Sequence, residues 1–197
     1  MAVPSYTHNN PLLRWLFWSR LDTAVALGRP GAGERVLDFA SGSGVLLPTL
    51  AAAGCEVYAT DLIPGPWMAH AKAAGLDVTA VPLAGLREFV MRERGTFALV
   101  YALDVLEHVD DRELEALSGL FARLLRADGR LVMSGATETA LYRVARRLAG
   151  FRSDYHHRSI FDVHRVFERG WRLEARRVLP PRPLPGGFVV SRYRPRS

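Results

Sequence analysis

The run Val36-Leu37-Asp38-Phe39-Ala40-Ser41-Gly42-Ser43-Gly44, followed at once by Val45-Leu46-Leu47, constrains this chain more than any other stretch. An apolar run reaching an acid, then small residues and two glycines, then apolar residues again, predicts a strand, a tight turn and a helix starting near Val45. Glycine takes positive φ at low cost and lets a ligand approach the backbone, so Gly42 and Gly44 predict a loop pressed against a small molecule. The helix behind the loop points free N–H groups at whatever sits above the strand. A dinucleotide loop keeps glycine or alanine three residues after its second glycine, and that position here is Leu47. A phosphate-cradling loop needs Gly-Lys-Ser/Thr after four spacers, a run the chain lacks.

The pattern instead resembles motif I of the class I S-adenosylmethionine-dependent methyltransferases, acid-x-Gly-x-Gly-x-Gly, with Ala40 in place of the first glycine. A helix from about Val45 to Ala53, stopped by Gly54, leads to a predicted second strand, Glu56 to Thr60, that ends at Asp61. In a doubly wound sheet an acid at that point accepts hydrogen bonds from both hydroxyls of a ribose. The alternative for such an acid is an ordinary helix cap. A helix around Trp67 to Ala74, ended by Gly75, precedes a third strand, Asp77 to Val81. Family members often carry an acid after that strand to grip the adenine amino group. Here Pro82 and Leu83 stand there, which leaves backbone groups and apolar packing for adenine. The resemblance implies that Asp38 supports the loop and the methionine amino end. The cofactor-binding set is Asp38, Ala40, Ser41, Gly42, Ser43, Gly44, Asp61, Leu62, Pro82, Leu83, Ala102 and Leu103.

Phe97 to Leu103 is nearly continuously apolar, as befits a fourth strand covered on both faces. It runs into Asp104-Val105-Leu106-Glu107-His108-Val109, similar to the acid-x-Leu-Glu-His-Val signature of ubiquinone-type small-molecule methyltransferases. Some relatives bind a divalent cation through acid-x-x-acid-His, which matches Asp104, Glu107 and His108. The other readings are that Glu107 and His108 brace the loop, or that His108 faces the substrate as base or orienter. We expect no metal site. A helix from about Arg112 to Arg126 and a turn at Asp128-Gly129 precede a fifth strand, Arg130 to Gly135. Glu138 to Leu148 then alternates as an amphipathic helix, with Arg143, Arg146 and Arg147 opposite its apolar face. In these enzymes that segment commonly forms part of a substrate lid, and the alternative is a solvated basic helix with no substrate role. Tyr155-His156-His157 precedes a helix from Ile160 to Arg169, and His156 and His157 are further catalytic candidates. Adjacent side chains point in different directions, so the pair does not make a metal site by itself. Trp171 to Leu179, a Pro-rich reversal and Gly187 to Tyr193 predict two final strands.

The 197 residues, 49% hydrophobic, suit one domain with a sizeable core. The expected architecture is α/β, a Rossmann-like, doubly wound, seven-stranded and mostly parallel sheet whose last strand is antiparallel. Residues 1–34 would be an N-terminal helical cover and 35–197 the S-adenosylmethionine-binding domain. The cover begins at Asn10-Pro11 and ends at Gly28, Pro30 and Gly31, and is read first as a helix over an edge or the mouth of the cofactor domain, the alternative being that Trp15, Phe17 and Trp18 also touch a lipidic substrate or a membrane surface. No apolar run approaches a membrane span, no signal-peptide pattern opens the chain, and Cys55 is alone, so a cytoplasmic location is expected. Of 26 basic residues only Lys72 is a lysine, and the arginines are not interleaved with aromatics as in a nucleic-acid reader. The Asn/Asp-Pro-Pro-Tyr/Phe motif of DNA and protein amide methyltransferases is absent after the fourth strand. A small-molecule acceptor follows, at oxygen or carbon, with S-adenosyl-L-methionine as methyl donor. A non-catalytic binding domain of the same fold is the alternative.

Overall fold

A computed structural model describes residues 6–137, 158–181 and 186–196. The helix expected over Glu138 to Leu148, and Tyr155, His156 and His157, lie outside the described residues. Helix α1 (Pro11–Gly28) starts as its sequence directs: Asn10 accepts hydrogen bonds from the N–H groups of Leu12 and Leu13, and Pro11 occupies the first turn. At its other end Arg29, not a glycine, takes the left-handed conformation at φ 50° and closes the helix onto the Val25 carbonyl. Gly28 is needed for another reason, because a Cβ there would collide with the Tyr101 hydroxyl.

The strands are β1 (Arg35–Phe39), β2 (Glu56–Thr60), β3 (Val78–Ala80), β4 (Phe97–Leu103), β5 (Leu125–Ala136), β6 (Trp171–Leu179) and β7 (Phe188–Pro195). They form one sheet in the order β3-β2-β1-β4-β5-β7-β6. β1 pairs parallel with β2 and β4, and β7 runs antiparallel to both β5 and β6, so the seventh strand alone is reversed. Strand order turns back between β1 and β4, and a crevice opens there beyond the carboxyl ends of the strands. The turn expected at Asp128-Gly129 lies inside β5 as a bulge, since the pairing with β4 jumps from Phe97 with Leu125 to Leu99 with Arg130.

Alternation along the strands separates two apolar layers. Val36, Leu99, Tyr101 and Val132 face α1, α2 (Leu47–Ala52) and α3 (Gly65–Ala73), with Leu47, Leu50 and Trp67 filling the interface. Leu37, Phe39, Val100 and Met133 face α4 (Leu86–Arg92), α5 (Asp111–Leu124) and α6 (Ile160–Phe167). α4 has no counterpart in the sequence reading. α2 starts two residues later than expected because Gly44 and the residues up to Leu46 are spent on turns, and Pro48 then sits in the first helical turn. Among the described residues no helix is long and apolar enough to cross a membrane.

Candidate active site

The turn after β1 is built from three residues at positive φ: Ala40 at 60°, Gly42 at 56° and Gly44 at 73°. Gly44 serves packing, since a Cβ there would stand 2.9 Å from Leu47 Cδ1 and 3.2 Å from Trp67 Cα. Around Gly42 such a Cβ would meet nothing within 4 Å, so that position opens onto the crevice. Two neighbours fix the loop. Asp61, at the end of β2, accepts a 2.8 Å hydrogen bond from Gly42 N through Oδ2 and another of 2.8 Å from Ile63 N through Oδ1. His70 on α3 donates from Nδ1 to the Ser43 carbonyl at 3.0 Å. Asp61 does not cap α3, whose first turn follows Pro64.

Two hollows meet at Ala40. The smaller, about 240 Å³, is lined by Asp38, the Ala40–Ser43 turn, Leu103 and Asp104, and by Tyr6, Phe17, Arg20 and Leu21 from the N-terminal segment. The larger, about 550 Å³, is lined by Phe39, Asp61, Leu62, Leu83, Leu86, Val105, Val109 and Leu117, with Arg87 and Glu113 among its polar groups. The larger hollow falls within the range of small-molecule sites, roughly 300–1,000 Å³. One hollow is charged and the other largely apolar, which suits a ligand with an amino-acid end and a nucleoside end.

The charged hollow holds two buried ionisable side chains. Asp38 is 4% exposed, and burial above all pushes its carboxyl up to about 7, opposed by the Ser41 hydroxyl and reinforced by Asp61. Arg20, also 4% exposed, is ion-paired with Asp104, donates to the Tyr6 hydroxyl at 2.9 Å and lies over the rings of Phe17 and Phe188. Sequence reasoning passed over Arg20. The signal was there: it shares a helical stripe with Phe17, Leu21 and Ala24, and a charge on a buried stripe needs a partner.

Of the other expected residues, Gly44 supports the loop from behind, Pro82 is exposed outside both hollows, and Ala102 is wholly buried in the core. His108 is exposed on a short 3-10 turn, Leu106–His108, and its N–H bonds the Val105 carbonyl. Asp104, Glu107 and His108 do not converge: Asp104 faces Arg20 and Ser134, while Glu107 is buried against Gly135. Among the described residues no three His, Cys, Asp or Glu side chains gather as a metal site would require.

A family model described as a methyltransferase domain matches residues 15–171. The chain belongs to the methyltransferase domain family. Its sheet order, with the reversed seventh strand, is the class I S-adenosylmethionine-dependent methyltransferase fold. A ubiquinone biosynthesis O-methyltransferase from Xanthomonas oryzae pv. oryzae is 32% identical over 111 residues, which are 55% of this chain and 45% of that protein. The chain thus spans about half the length of the curated relatives it matches. By structure, this methyltransferase domain is similar to the PH0226 protein from Pyrococcus horikoshii, with a TM-score of 0.77 at 19% identity, covering 99% of this chain and 97% of the other. It is similar too to the N-methyltransferase NodS from Bradyrhizobium japonicum in complex with S-adenosyl-l-homocysteine, with a TM-score of 0.72 at 17% identity, covering 98% and 92%. Likeness at these identities establishes the fold.

Proposed function

We propose that this domain transfers a methyl group from S-adenosylmethionine to a small molecule, at oxygen or carbon. The observation that carries this reading is the hydrogen bond from Gly42 N to Asp61, which joins the glycine turn to the strand-end acid where the apolar and charged hollows meet. The residues present fit the cofactor. Asp61 retains lone pairs beyond those given to Gly42 and Ile63 and accepts from the ribose hydroxyls. Leu62, Leu83 and Leu86 offer apolar walls to adenine, consistent with the absence of an acid after β3. Arg20, whose Nε makes no hydrogen bond among the described residues, suits a carboxylate, and Asp38 suits an ammonium group.

When bound, the cofactor supplies a sulfonium methyl that transfers by in-line displacement with loss of positive charge. The chain's contribution is mainly to orient and to exclude water. Phe17, Leu21 and Tyr6 help close the charged hollow from the α1 side. For an oxygen acceptor, the proposed proton acceptor is His108 on the turn after β4, with His156 and His157 as further candidates, because an imidazole nitrogen accepts a proton from a hydroxyl. The acceptor class is supported by the O-methyltransferase names of the relatives.

Calorimetric titration with S-adenosylmethionine, S-adenosylhomocysteine and NAD tests the cofactor. Both adenosyl ligands are expected to bind more tightly than NAD, and tighter NAD binding would overturn the reading. Transfer of labelled methyl into cell extract tests turnover. Binding without any labelled product would leave the non-catalytic alternative standing in its place.

A further inference from the structure

Among the described residues Arg20 is the only cation lining the charged hollow, and it is engaged there. Its Nη1 pairs with Asp104, its Nη2 donates to Tyr6, and Phe17 and Phe188 hold the guanidinium at 5.1 and 5.0 Å from their ring centroids. Asp104 is fixed in turn. Ser134 Oγ donates to its Oδ1 at 2.8 Å, its N–H bonds the Ser134 carbonyl at 2.9 Å, and its backbone stands at φ 54°. The Asp104 side chain is 27% exposed against 5% for Arg20, so the pair lies at the wall of the hollow with the cation deeper. Asp38 is the second carboxylate on that wall. A buried guanidinium must have an anion beside it, because an uncompensated buried charge costs several kcal/mol. Here that anion is Asp104.

We propose that Asp104 is an internal competitor of the cofactor: it occupies Arg20 in the free chain and yields the guanidinium when a ligand carboxylate enters. The proposal rests on the S-adenosylmethionine reading given above. A guanidinium offers its donors in a planar fork that grips one carboxylate well, while two carboxylates crowded on one cation repel each other strongly where water is scarce. Phe17, Phe188 and Tyr6 hold the guanidinium in place, so exchange replaces the anion without moving the cation. Asp104 stays tied to Ser134 through Oδ1, which leaves Oδ2 for an O–H or N–H donor. An unmethylated oxygen acceptor carries such a donor. Binding of the cofactor therefore precedes and prepares binding of the acceptor, and the competition weakens retention of the demethylated product.

The test compares S-adenosylhomocysteine with 5′-methylthioadenosine, which keeps the adenosine and thioether but lacks the amino-acid end. Asp104→Asn removes the competing charge and is expected to bind S-adenosylhomocysteine about threefold or more tightly than wild type, a change of about 0.7 kcal/mol. Affinity for methylthioadenosine stays the same. Arg20→Gln is expected to lose at least about tenfold for S-adenosylhomocysteine and nothing for methylthioadenosine. Weaker or unchanged binding of S-adenosylhomocysteine to Asp104→Asn overturns the proposal and makes Asp104 a support for Arg20. Failure of wild type to bind either ligand overturns the cofactor reading instead. Thermal melts check folding, and Asp104→Gly, which tolerates φ 54°, takes the place of an Asn variant that does not fold.

Discussion

Asp61 concentrates the residue-scale argument. Its two oxygens are already used by Gly42 N and Ile63 N, so the carboxylate shapes the loop before any ligand arrives. Asp61→Ala therefore has two effects of different size. Loss of the loop hydrogen bonds costs about 1 kcal/mol in stability, because water reaches the exposed N–H groups. Loss of two charge-assisted bonds to a ribose diol costs about 3 kcal/mol in binding, on the order of a hundredfold in Kd. Titration of S-adenosylhomocysteine alongside urea unfolding separates the two. An unchanged Kd with a lowered stability would make Asp61 a loop brace alone.

At the scale of elements, α1 is fastened to the sheet by a close approach at Gly28. A Cβ there would collide with the hydroxyl of Tyr101, which is fully buried on β4 and has no hydrogen-bond partner among the described residues. Gly28→Ala is expected to destabilise the chain, and Tyr101→Phe to relieve only part of that cost, because the ring carbon Cζ would still stand 2.7 Å from the new Cβ. The coupling in a double-mutant cycle should be about 1 kcal/mol or more, as for other residues in direct contact. Independent effects of the two changes would mean that α1 shifts to accommodate the methyl. α1 also shows which parts of the fold were legible in sequence. Its start follows from Asn10-Pro11 and its last residue is Gly28 as expected, although Arg29 makes the cap, and the strands of the sheet follow from apolar runs with acids or glycines at their ends. α4 was missed because seven residues, Leu86 to Arg92, give too short a window, although Leu86, Phe89 and Val90 have helical spacing. The glycine turn and Asp61 are local patterns and were readable. Arg20 with Asp104 is a contact across 84 positions that only the packing of α1 on the sheet brings about. The same holds for Leu86, Val109 and Leu117, which wall the apolar hollow from three different segments.

In the whole molecule, two buried titratable groups on opposite faces of the sheet work against each other. Asp38 lies on the α1 side with its carboxyl pushed up to about 7, chiefly by burial. His164, on α6, is held down to about 3 by burial first and by Arg176 second. A raised carboxyl binds more proton in the folded chain, so its contribution is full below the unfolded value near 4 and disappears as pH rises through 7. A depressed imidazole binds less proton in the folded chain, so stability is lost as pH falls from about 6.5 toward 3. Between about pH 4 and 6.5 the two contributions have opposite slopes and nearly cancel. Asp38→Asn removes one of them. The backbone carbonyl of residue 38 still accepts from Ser41 Oγ at 2.8 Å in the native geometry, so the turn retains that support. The variant should lose stability as pH falls below 6.5, where the wild type stays nearly flat with respect to this pair. Relative to wild type it should gain on the order of 2 kcal/mol between pH 5 and pH 8, since each pH unit of full linkage is worth about 1.4 kcal/mol. Urea unfolding of both proteins without ligand at pH 5, 6, 7 and 8 reads this directly. Parallel stability curves would show that Asp38 is ionised throughout and that the charged hollow carries its carboxylates without a proton.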